Sequence, residues 1–244
     1  MSDATQLPQN VTDNTSAVCG LADEMKRETA SQHRLAERSG IIADILNQSV
    51  SFTHYVLYVR NLASVYRAIE APINVHTNFE HDISINHFLD KRLERTPHLE
   101  RDLDNLVGRK VWQLLPILPA TRKYVSHIND TKYTLPIAMV GHFYVRYLGD
   151  LNGGQVLQRL LKEKLDLDDQ CTNFYRFTKI KNLPQYRSYY RNMINSINVD
   201  TNSTEKIVST ATQAFQFNID LASQSNDHKY IDLSLHHSSS VVIQ

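Results

Sequence analysis

The residues best placed to do chemistry lie in one glycine-rich stretch, GHFYVRYLGDLNGGQVLQRLL (Gly141–Leu161). Apolar residues recur there every three or four positions, which predicts a helix. Four of the chain's seven glycines nevertheless lie in this helix, and each costs roughly 0.5–1 kcal/mol relative to alanine. We therefore expect the backbone to be bare because something flat or large lies against it. Asp150 lies among these glycines, so its carboxylate is a candidate for chemistry.

A second candidate is the pair His33 and Glu37 in the segment ETASQHRLAE. Residues four apart share one face of a helix, and a histidine whose ring is oriented by a carboxylate is a common metal ligand. The chain has 11 histidines, however, and a pair at this spacing is more often part of a solvated helix surface. The pair by itself leaves both interpretations open.

A third candidate is the segment from Gln170 to Val199, which contains no acidic residue. Its basic residues and tyrosines are interleaved: Arg176, Lys179, Lys181, Arg187 and Arg191 with Tyr175, Tyr186, Tyr189 and Tyr190. Such a face suits carboxylates, phosphates or an acidic partner, and a solvated helix is the alternative. The formal net charge of +0 disfavours single-stranded nucleic acid, although arginines and aromatic rings can bind it together. Together the three candidates are what a flat, metal-bearing dicarboxylate needs.

The elements that must position these residues are helical almost throughout the chain, and no strand-like alternation is bounded by hairpin turns. Helices are predicted at about 18–38, 51–70, 86–95, 97–106, 120–129, 136–165, 184–197 and 203–223. Gly40 is expected to stop the first helix, and Trp112 is expected to lie in a connection bounded by prolines. Residues 1–17 should be disordered and residues 224–244 a flexible tail, which leaves a single all-α domain at 18–223.

Composition and missing motifs narrow the function classes. A chain of 244 residues with 41% hydrophobic residues suits one sizeable core. The nucleotide-binding motifs GxGxxG and GxxxxGK[ST], the HExxH zinc motif, the Glu-x-x-His di-iron pair and the CxxCH heme-attachment motif are all absent. Two cysteines suit a reducing compartment. Neither a signal peptide nor a run of roughly 18 apolar residues is present.

The segment RYLGDLNGGQVL (Arg146–Leu157) closely resembles the signature of the heme oxygenases, and the spacing of His33 and Glu37 resembles their proximal helix. The resemblance covers roughly residues 20–222 and includes three further segments, Val111–Val125, Tyr189–Ile197 and Ala214–Ile219. It implies an all-α fold that holds heme between a proximal helix and a kinked distal helix. It also implies cleavage of heme to biliverdin, carbon monoxide and iron.

The resemblance implies a role for each residue that matches the family's pattern. His33 corresponds to the iron ligand and Glu37 to the carboxylate that orients it. Asp150 corresponds to the aspartate that holds a distal water network, with Arg146 and Tyr66 as members. The glycines that let the helix lie over the porphyrin are Gly149, Gly153 and Gly154. The residues that meet the heme propionates are Lys26, Tyr144, Arg187 and Arg191, and those near the porphyrin edge are Phe215 and Asn218.

The chain departs from the family's pattern at four places. Asn152 stands where serine is common, Ala30 where some relatives have a second basic residue, and Arg187 where lysine is usual. The substitution at Arg187 keeps the charge but changes its geometry. The C-terminal sequence SLHHSSSVVIQ is not the apolar anchor in which many eukaryotic relatives end.

The cofactors implied by the resemblance are heme b, which is both substrate and cofactor with its iron on His33, O2, and an external electron donor. The implied partner is an NADPH-dependent reductase or a ferredoxin, whereas nucleic acid and a membrane span are not expected. The implied location is the cytoplasm, or the cytoplasmic face of an internal membrane if a tail anchor is missing from this chain. Iron acquisition is one physiological role that the resemblance suggests.

Two alternatives remain from other functional classes. The first is a non-catalytic protein of the same fold that binds or sequesters heme, and the presence of both His33 and Asp150 argues against it. The second is a helical interaction domain without a cofactor, which would give no Soret band when titrated with hemin.

Overall fold

The structure, a computed structural model, describes residues 20–73 and 85–227. Within these residues it is helical and contains no strand, which confirms the predicted all-α class. The α-helices are α1 Leu21–Glu28, α2 Ala30–Glu37, α3 Gly40–Leu46, α4 Phe52–Glu70, α5 Thr96–Val107, α6 Arg109–Trp112, α7 Pro119–Thr134, α8 Met139–Phe143, α9 Gly149–Leu165, α10 Leu183–Asn195 and α11 Thr201–Gln224. A π-helical turn, Tyr144–Leu148, joins α8 to α9.

The helix α4 forms one centre of the core, and α5 and α7 pack against it. Ser51 caps its N-terminus by accepting the backbone N–H of His54 at 3.3 Å. At the other end the ammonium group of Lys132 donates to the carbonyl oxygens of Ala68 and Ala71, which have no helical partner of their own. Both ends of α4 are therefore satisfied by side chains, and the helix is fixed against α7.

The long C-terminal helix α11 is the second centre, and it contacts α2, α3, α7 and α8. Its crossing with α8 is especially close. A Cβ atom placed on Gly141 would lie 2.7 Å from the backbone nitrogen of Ala211 and 2.7 Å from the carbonyl oxygen of Ile207. Glycine at this position allows the two backbones to touch, so α11 holds the start of the glycine-rich segment in place.

One continuous helix was predicted at 136–165, but the structure has an irregular helix there. It begins with a 3-10 turn, Pro136–Ala138, continues as α8, widens into the π-helical turn and resumes as α9. A π-helical turn adds a residue to one turn of the helix, and such turns commonly bend helices and occur at functional sites. The irregularity lies immediately before Gly149 and Asp150, so it sets the direction in which these residues face.

Three other predicted elements differ from the structure. The predicted helix 18–38 is broken at Thr29, whose hydroxyl donates to the carbonyl of Met25 at 2.7 Å and thereby competes with the helix pattern. Gly40, predicted to stop that helix, does have a positive φ of 49°, but it also begins α3. The connection around Trp112 contains the short helix α6.

The helix predicted at 86–95 is wrong, since only the 3-10 turn Ile85–Phe88 forms there. The carboxylate of Asp90 accepts the backbone N–H of Arg92 at 2.8 Å, a local bond that stabilises a turn instead of a helix. The expectations about residues 1–17 and the end of the tail lie outside the described residues, while α11 continues to Gln224.

Candidate active site

His33 lies on the exposed side of α2 with 59% of its side chain accessible. Its Nδ1 atom is 3.6 Å from Oε1 of Glu37, one turn further along the helix. Its ring also packs edge-on against Phe215 of α11, with 5.8 Å between the ring centroids. These two contacts fix the ring plane and leave Nε2 as the nitrogen that can bind a metal.

The glycines of the distal segment fall into two groups. A Cβ atom added to Gly149 or Gly153 would meet no heavy atom within 4 Å beyond its own helix, so both face open space, and they lie one turn apart. Gly154 instead points at the ring of Tyr175, 3.5 Å from the added Cβ, and Gly141 packs on α11. The expectation that all four glycines bare the helix to one ligand is therefore wrong, because Gly141 and Gly154 serve internal packing.

Asp150 is held by two donors in a nearly closed pocket, with 12% of its side chain accessible. Nη2 of Arg146, one turn earlier, donates to Oδ1 of Asp150 at 3.2 Å. The hydroxyl of Tyr66, from α4, donates to Oδ2. Arg146 also donates through Nε to the hydroxyl of Tyr66 at 3.2 Å. The structure thus brings together the three residues for which the resemblance implies a distal network.

The cluster extends further than the sequence-based prediction. Nη1 of Arg146 donates to Oδ1 of Asn218 at 2.8 Å, and Nδ2 of Asn218 lies 3.5 Å from the hydroxyl of Tyr124. The resemblance implied that Asn218 lies near a porphyrin edge, and Tyr124 was not among the residues predicted from sequence. Tyr124 is fully buried with a polar group at its tip, and only the tertiary structure identifies its partner.

The helix α11 places the histidine and the aspartate cluster at one site. Phe215 contacts His33, and Asn218 contacts Arg146. Phe215 and Asn218 are three positions apart on α11, and Cβ atoms at that spacing on a helix are about 5–6 Å apart. His33 and Asp150 are 117 positions apart in sequence, and the structure brings His33 and the aspartate cluster to the same turn of α11.

The basic helix α10 contributes two arginines, and each has a partner on another helix. Nη1 of Arg187 donates to Oδ1 of Asn152 on α9 at 3.3 Å. Arg191 forms an ion pair with Asp23 on α1. Asp23 was not among the site residues predicted from sequence, although an acidic residue one turn before Lys26 is a visible signal. Two further propionate partners were predicted. Lys26 is exposed on α1. Tyr144 lies in the π-helical turn, and burial raises the pKa of its hydroxyl above the usual value.

Two carboxylates near the site have shifted pKa values in opposite directions. Burial raises the pKa of Asp150 well above its usual range, although the Arg146 guanidinium beside it favours the charged form. The hydrogen bond from Arg191 lowers the pKa of Asp23. Asp23 is therefore ionised at neutral pH, whereas Asp150 lies in a setting that favours taking up a proton.

Comparisons with known proteins show the family of the chain. The family model "Heme oxygenase" matches residues 19–224. Heme oxygenase 1 of Synechocystis sp. is 32% identical over 199 residues, which cover 82% of this chain and 82% of the relative. The heme oxygenase of Rhodella violacea is 31% identical over 211 residues, covering 85% and 88%. Human heme oxygenase 1 is 29% identical over 203 residues, covering 82% and 70%.

Solved structures give the same result. The crystal structure of heme oxygenase-1 from Synechocystis in complex with heme superposes with a TM-score of 0.79 and 30% identity, covering 91% of this chain and 100% of that one. The heme oxygenase of Leptospira interrogans superposes with a TM-score of 0.77 and 26% identity, covering 84% and 99%.

Fold, site and relatives together define a helical heme-binding enzyme. The chain belongs to the heme oxygenase family, whose activity is the degradation of heme. In the part of the chain that the structure describes, no helix is both long and apolar enough to cross a membrane.

Proposed function

We propose that this enzyme converts heme b to biliverdin, carbon monoxide and ferrous iron, with O2 as oxidant and electrons from an external donor. His33 is the iron ligand in this proposal, and Asp150 is the residue that handles protons on the oxygen side. The observation that supports it most directly is the convergence of His33 and the Arg146–Asp150 cluster on one turn of α11.

The residues present fit a flat porphyrin. Gly149 and Gly153 leave the α9 backbone facing open space, where any larger side chain would occupy the volume that a ring needs. His33 is exposed and has its Nε2 atom available, while Phe215 supplies an apolar ring beside it. Lys26, Arg187 and Arg191 supply positive charge for the two propionates.

Heme supplies the iron that activates O2 and the ring that is opened. Glu37 keeps the His33 ring in one plane and stabilises a proton on Nδ1, so that Nε2 faces the iron. The face of α9 at Gly149 and Gly153 would lie beside a bound ring, because neither residue has a side chain to fill that space. There it would limit the room for bulk water and for ligands on that side of the ring.

Asp150 is suited to hold a water and to move its protons. Its two oxygens each accept one hydrogen bond from protein, from Arg146 and from Tyr66. A carboxylate oxygen can accept two, so one position on each oxygen is left for water. Burial raises the pKa of Asp150, which brings the carboxyl nearer to the range in which a general acid or base is effective.

The donor of electrons is, in this proposal, an NADPH-dependent reductase or a ferredoxin, and the reaction takes place in the cytoplasm. The exposed side of α2 beside His33 is the shortest route for electrons to the iron. Release of ferrous iron from heme would serve iron acquisition.

The experiment is a single turnover of the hemin complex with ascorbate under O2, followed by chromatography of the extracted pigment. Biliverdin should appear as the Soret band is lost. A complex that keeps its Soret band would instead be a heme-sequestering protein, and a chain that gives no Soret band with hemin would have no heme site. Identification of the biliverdin isomer in the same extract reports which meso carbon is attacked.

A further inference from the structure

A contact between α1 and α10 is not used by the function proposed above. Nη2 of Arg191 donates to Oδ1 of Asp23, and Nδ2 of Asn195 donates to Oδ2 of the same carboxylate at 3.3 Å. Asn195 also accepts the backbone N–H of Ala22 at 2.8 Å. Both oxygens of Asp23 are therefore bound by α10, and the first turn of α1 is attached to that helix through three hydrogen bonds.

The start of α1 lies against α10 without spare room. A Cβ atom placed on Gly20 would lie 2.4 Å from Cγ of Asn195. The helix α1 continues through a single residue, Thr29, into α2, which carries His33. The attachment of Asp23 to α10 therefore fixes where the helix of the proposed iron ligand begins.

Arg191 has binding capacity left after it has met Asp23. A guanidinium has five N–H donors on three nitrogens, and Asp23 is its acidic partner within residues 20–73 and 85–227. The Arg191 side chain is 39% exposed, and Nη2 is the nitrogen that donates to Asp23, so the side chain is accessible to a second carboxylate. Such bidentate use of arginine gives both energy and a fixed orientation.

The charged residues of α1 and α10 give this end of the site a net positive charge. Lys26 lies on α1 one turn after Asp23, and Arg187 lies on α10 one turn before Arg191. Glu24 and Glu28 of α1 are paired with Arg27, so Lys26 and Arg187 are two cations beside Arg191 that can attract the carboxylates of a heme. Asp23 is ionised at neutral pH because the hydrogen bond from Arg191 lowers its pKa.

We propose that Asp23 is a positioning residue for heme: it holds Arg191 so that the guanidinium meets a propionate. The inference rests on the proposed function, since it requires a heme carboxylate at Arg191. The opposite relation, in which Asp23 competes with the propionate for Arg191, predicts the opposite change in affinity.

The test compares hemin with hemin dimethyl ester, in which both propionates are neutral. Full-length Asp23→Ala and Asp23→Asn are titrated with each porphyrin, and the Soret band reports binding. Asp23→Ala should weaken hemin binding about tenfold, the scale of one charge-assisted hydrogen bond. The hemin affinity of Asp23→Asn should lie between those of wild type and Asp23→Ala, because the amide oxygen of asparagine can still accept a hydrogen bond from Arg191. Binding of the dimethyl ester should be equal in all three proteins.

Glu24→Gln is the matched control, because it removes one negative charge from α1 at an exposed pair with Arg27, 3.8 Å apart. Its hemin affinity should stay within about twofold of wild type, since exposed pairs contribute little. A single turnover of Asp23→Ala should also give a broader mixture of biliverdin isomers, because a poorly aimed Arg191 lets heme rotate in its plane.

Unchanged or tighter hemin binding in Asp23→Ala would overturn the inference, and so would an equal loss for both porphyrins, which would assign Asp23 to the fold alone. If Asp23→Ala does not fold, as thermal unfolding of the heme-free protein would reveal, the near-isosteric Asp23→Asn decides with the same two porphyrins. A wild-type protein that binds no hemin would contradict the proposed function itself.

Discussion

His33 is an exposed side chain that acquires its orientation from two contacts. Glu37 fixes one end of the ring at 3.6 Å, and the Phe215 ring fixes its plane. The side chain as a whole is 59% exposed. In sequence the same residue was indistinguishable from a solvated surface histidine, because the Phe215 contact depends on how α11 packs against α2.

At the residue scale, His33→Ala should still take up hemin, since apolar burial and propionate contacts hold most of it. The iron should lose imidazole ligation, and biliverdin formation should collapse. Added imidazole should restore part of the activity by filling the vacated position. Soret and electron paramagnetic resonance spectra report the ligation, with the exposed His87→Ala as control. Wild-type spectra and turnover in His33→Ala would mean that another histidine binds the iron.

Asp150 differs from an ordinary surface acid because its two oxygens are fixed from α4 and from its own helix. Asp150→Ala should lower the biliverdin yield about 100-fold or more, the scale of a lost general acid–base group. Hemin affinity should change little, and Asp150→Asn should have a smaller effect. Glu163→Ala is the matched control, since Glu163 forms an exposed pair with Arg159 at the same four-residue spacing on α9. Normal yield in Asp150→Ala would leave only Arg146 pairing as its role.

At the element scale, the distal segment combines glycines with opposite tasks. Gly141 lets α8 touch the backbone of α11, whereas Gly153 leaves the α9 backbone facing open space. Helix propensity alone assigns both glycines the same free-energy cost relative to alanine. What separates them is the neighbour that each would meet, and this depends on where α11 and the π-helical turn place the segment.

Gly153→Ala should stabilise the heme-free protein by roughly 0.5–1 kcal/mol, because alanine favours a helix and nothing obstructs the methyl group. The same change should damage heme binding or its degradation. Gly141→Ala should destabilise the fold by about 1–3 kcal/mol, because its Cβ meets backbone atoms that cannot move aside. Urea denaturation and hemin titration measure the two effects. A stabilised and fully active Gly153→Ala would assign that glycine to packing.

At the scale of the whole molecule, a carboxylate on α5 supports the distal side through the turn Asn173–Tyr175. Asp102 of α5 accepts the backbone N–H groups of Asn173 and Phe174 at 2.7 and 2.8 Å. The Phe174 ring packs on Tyr66 with 5.6 Å between centroids, and Tyr175 packs on Gly154. A buried carboxylate thereby fixes the segment that supports both Tyr66 and α9.

Burial raises the pKa of Asp102 from 3.8 to about 6. Its contribution to stability is therefore complete below about pH 3.8 and is lost as the pH rises through about 6. Asp102→Asn cannot ionise, so its free energy of unfolding relative to wild type should rise by about 2 kcal/mol between about pH 4.5 and about pH 7.5. Urea denaturation across this range measures the difference. A constant difference would show that Asp102 keeps its charge when folded.

The helical class and most helix positions could be predicted from sequence, because they depend on local information. Apolar spacing defines α4, α5, α10 and α11 to within a few residues, whereas α7 continues five residues beyond the predicted end at residue 129. The glycine-rich segment with Asp150 and the pair at His33 indicated candidate chemistry, and the resemblance to the heme oxygenases gave these residues their predicted roles. Prolines were also sufficient local signals for two helix boundaries. Pro72 follows the end of α4, and Pro97 lies in the first turn of α5.

Tertiary structure alone decided which of these residues meet. Tyr124, Asp23 and Asn195 were given no role from sequence, and their importance arises from contacts with residues 94 to 172 positions away, which local spacing does not encode. The division of the glycines and the π-helical turn likewise depend on α11 and Tyr175. A helix pattern states which face of a segment is apolar, whereas packing among several helices decides what that face touches and which polar groups share one pocket.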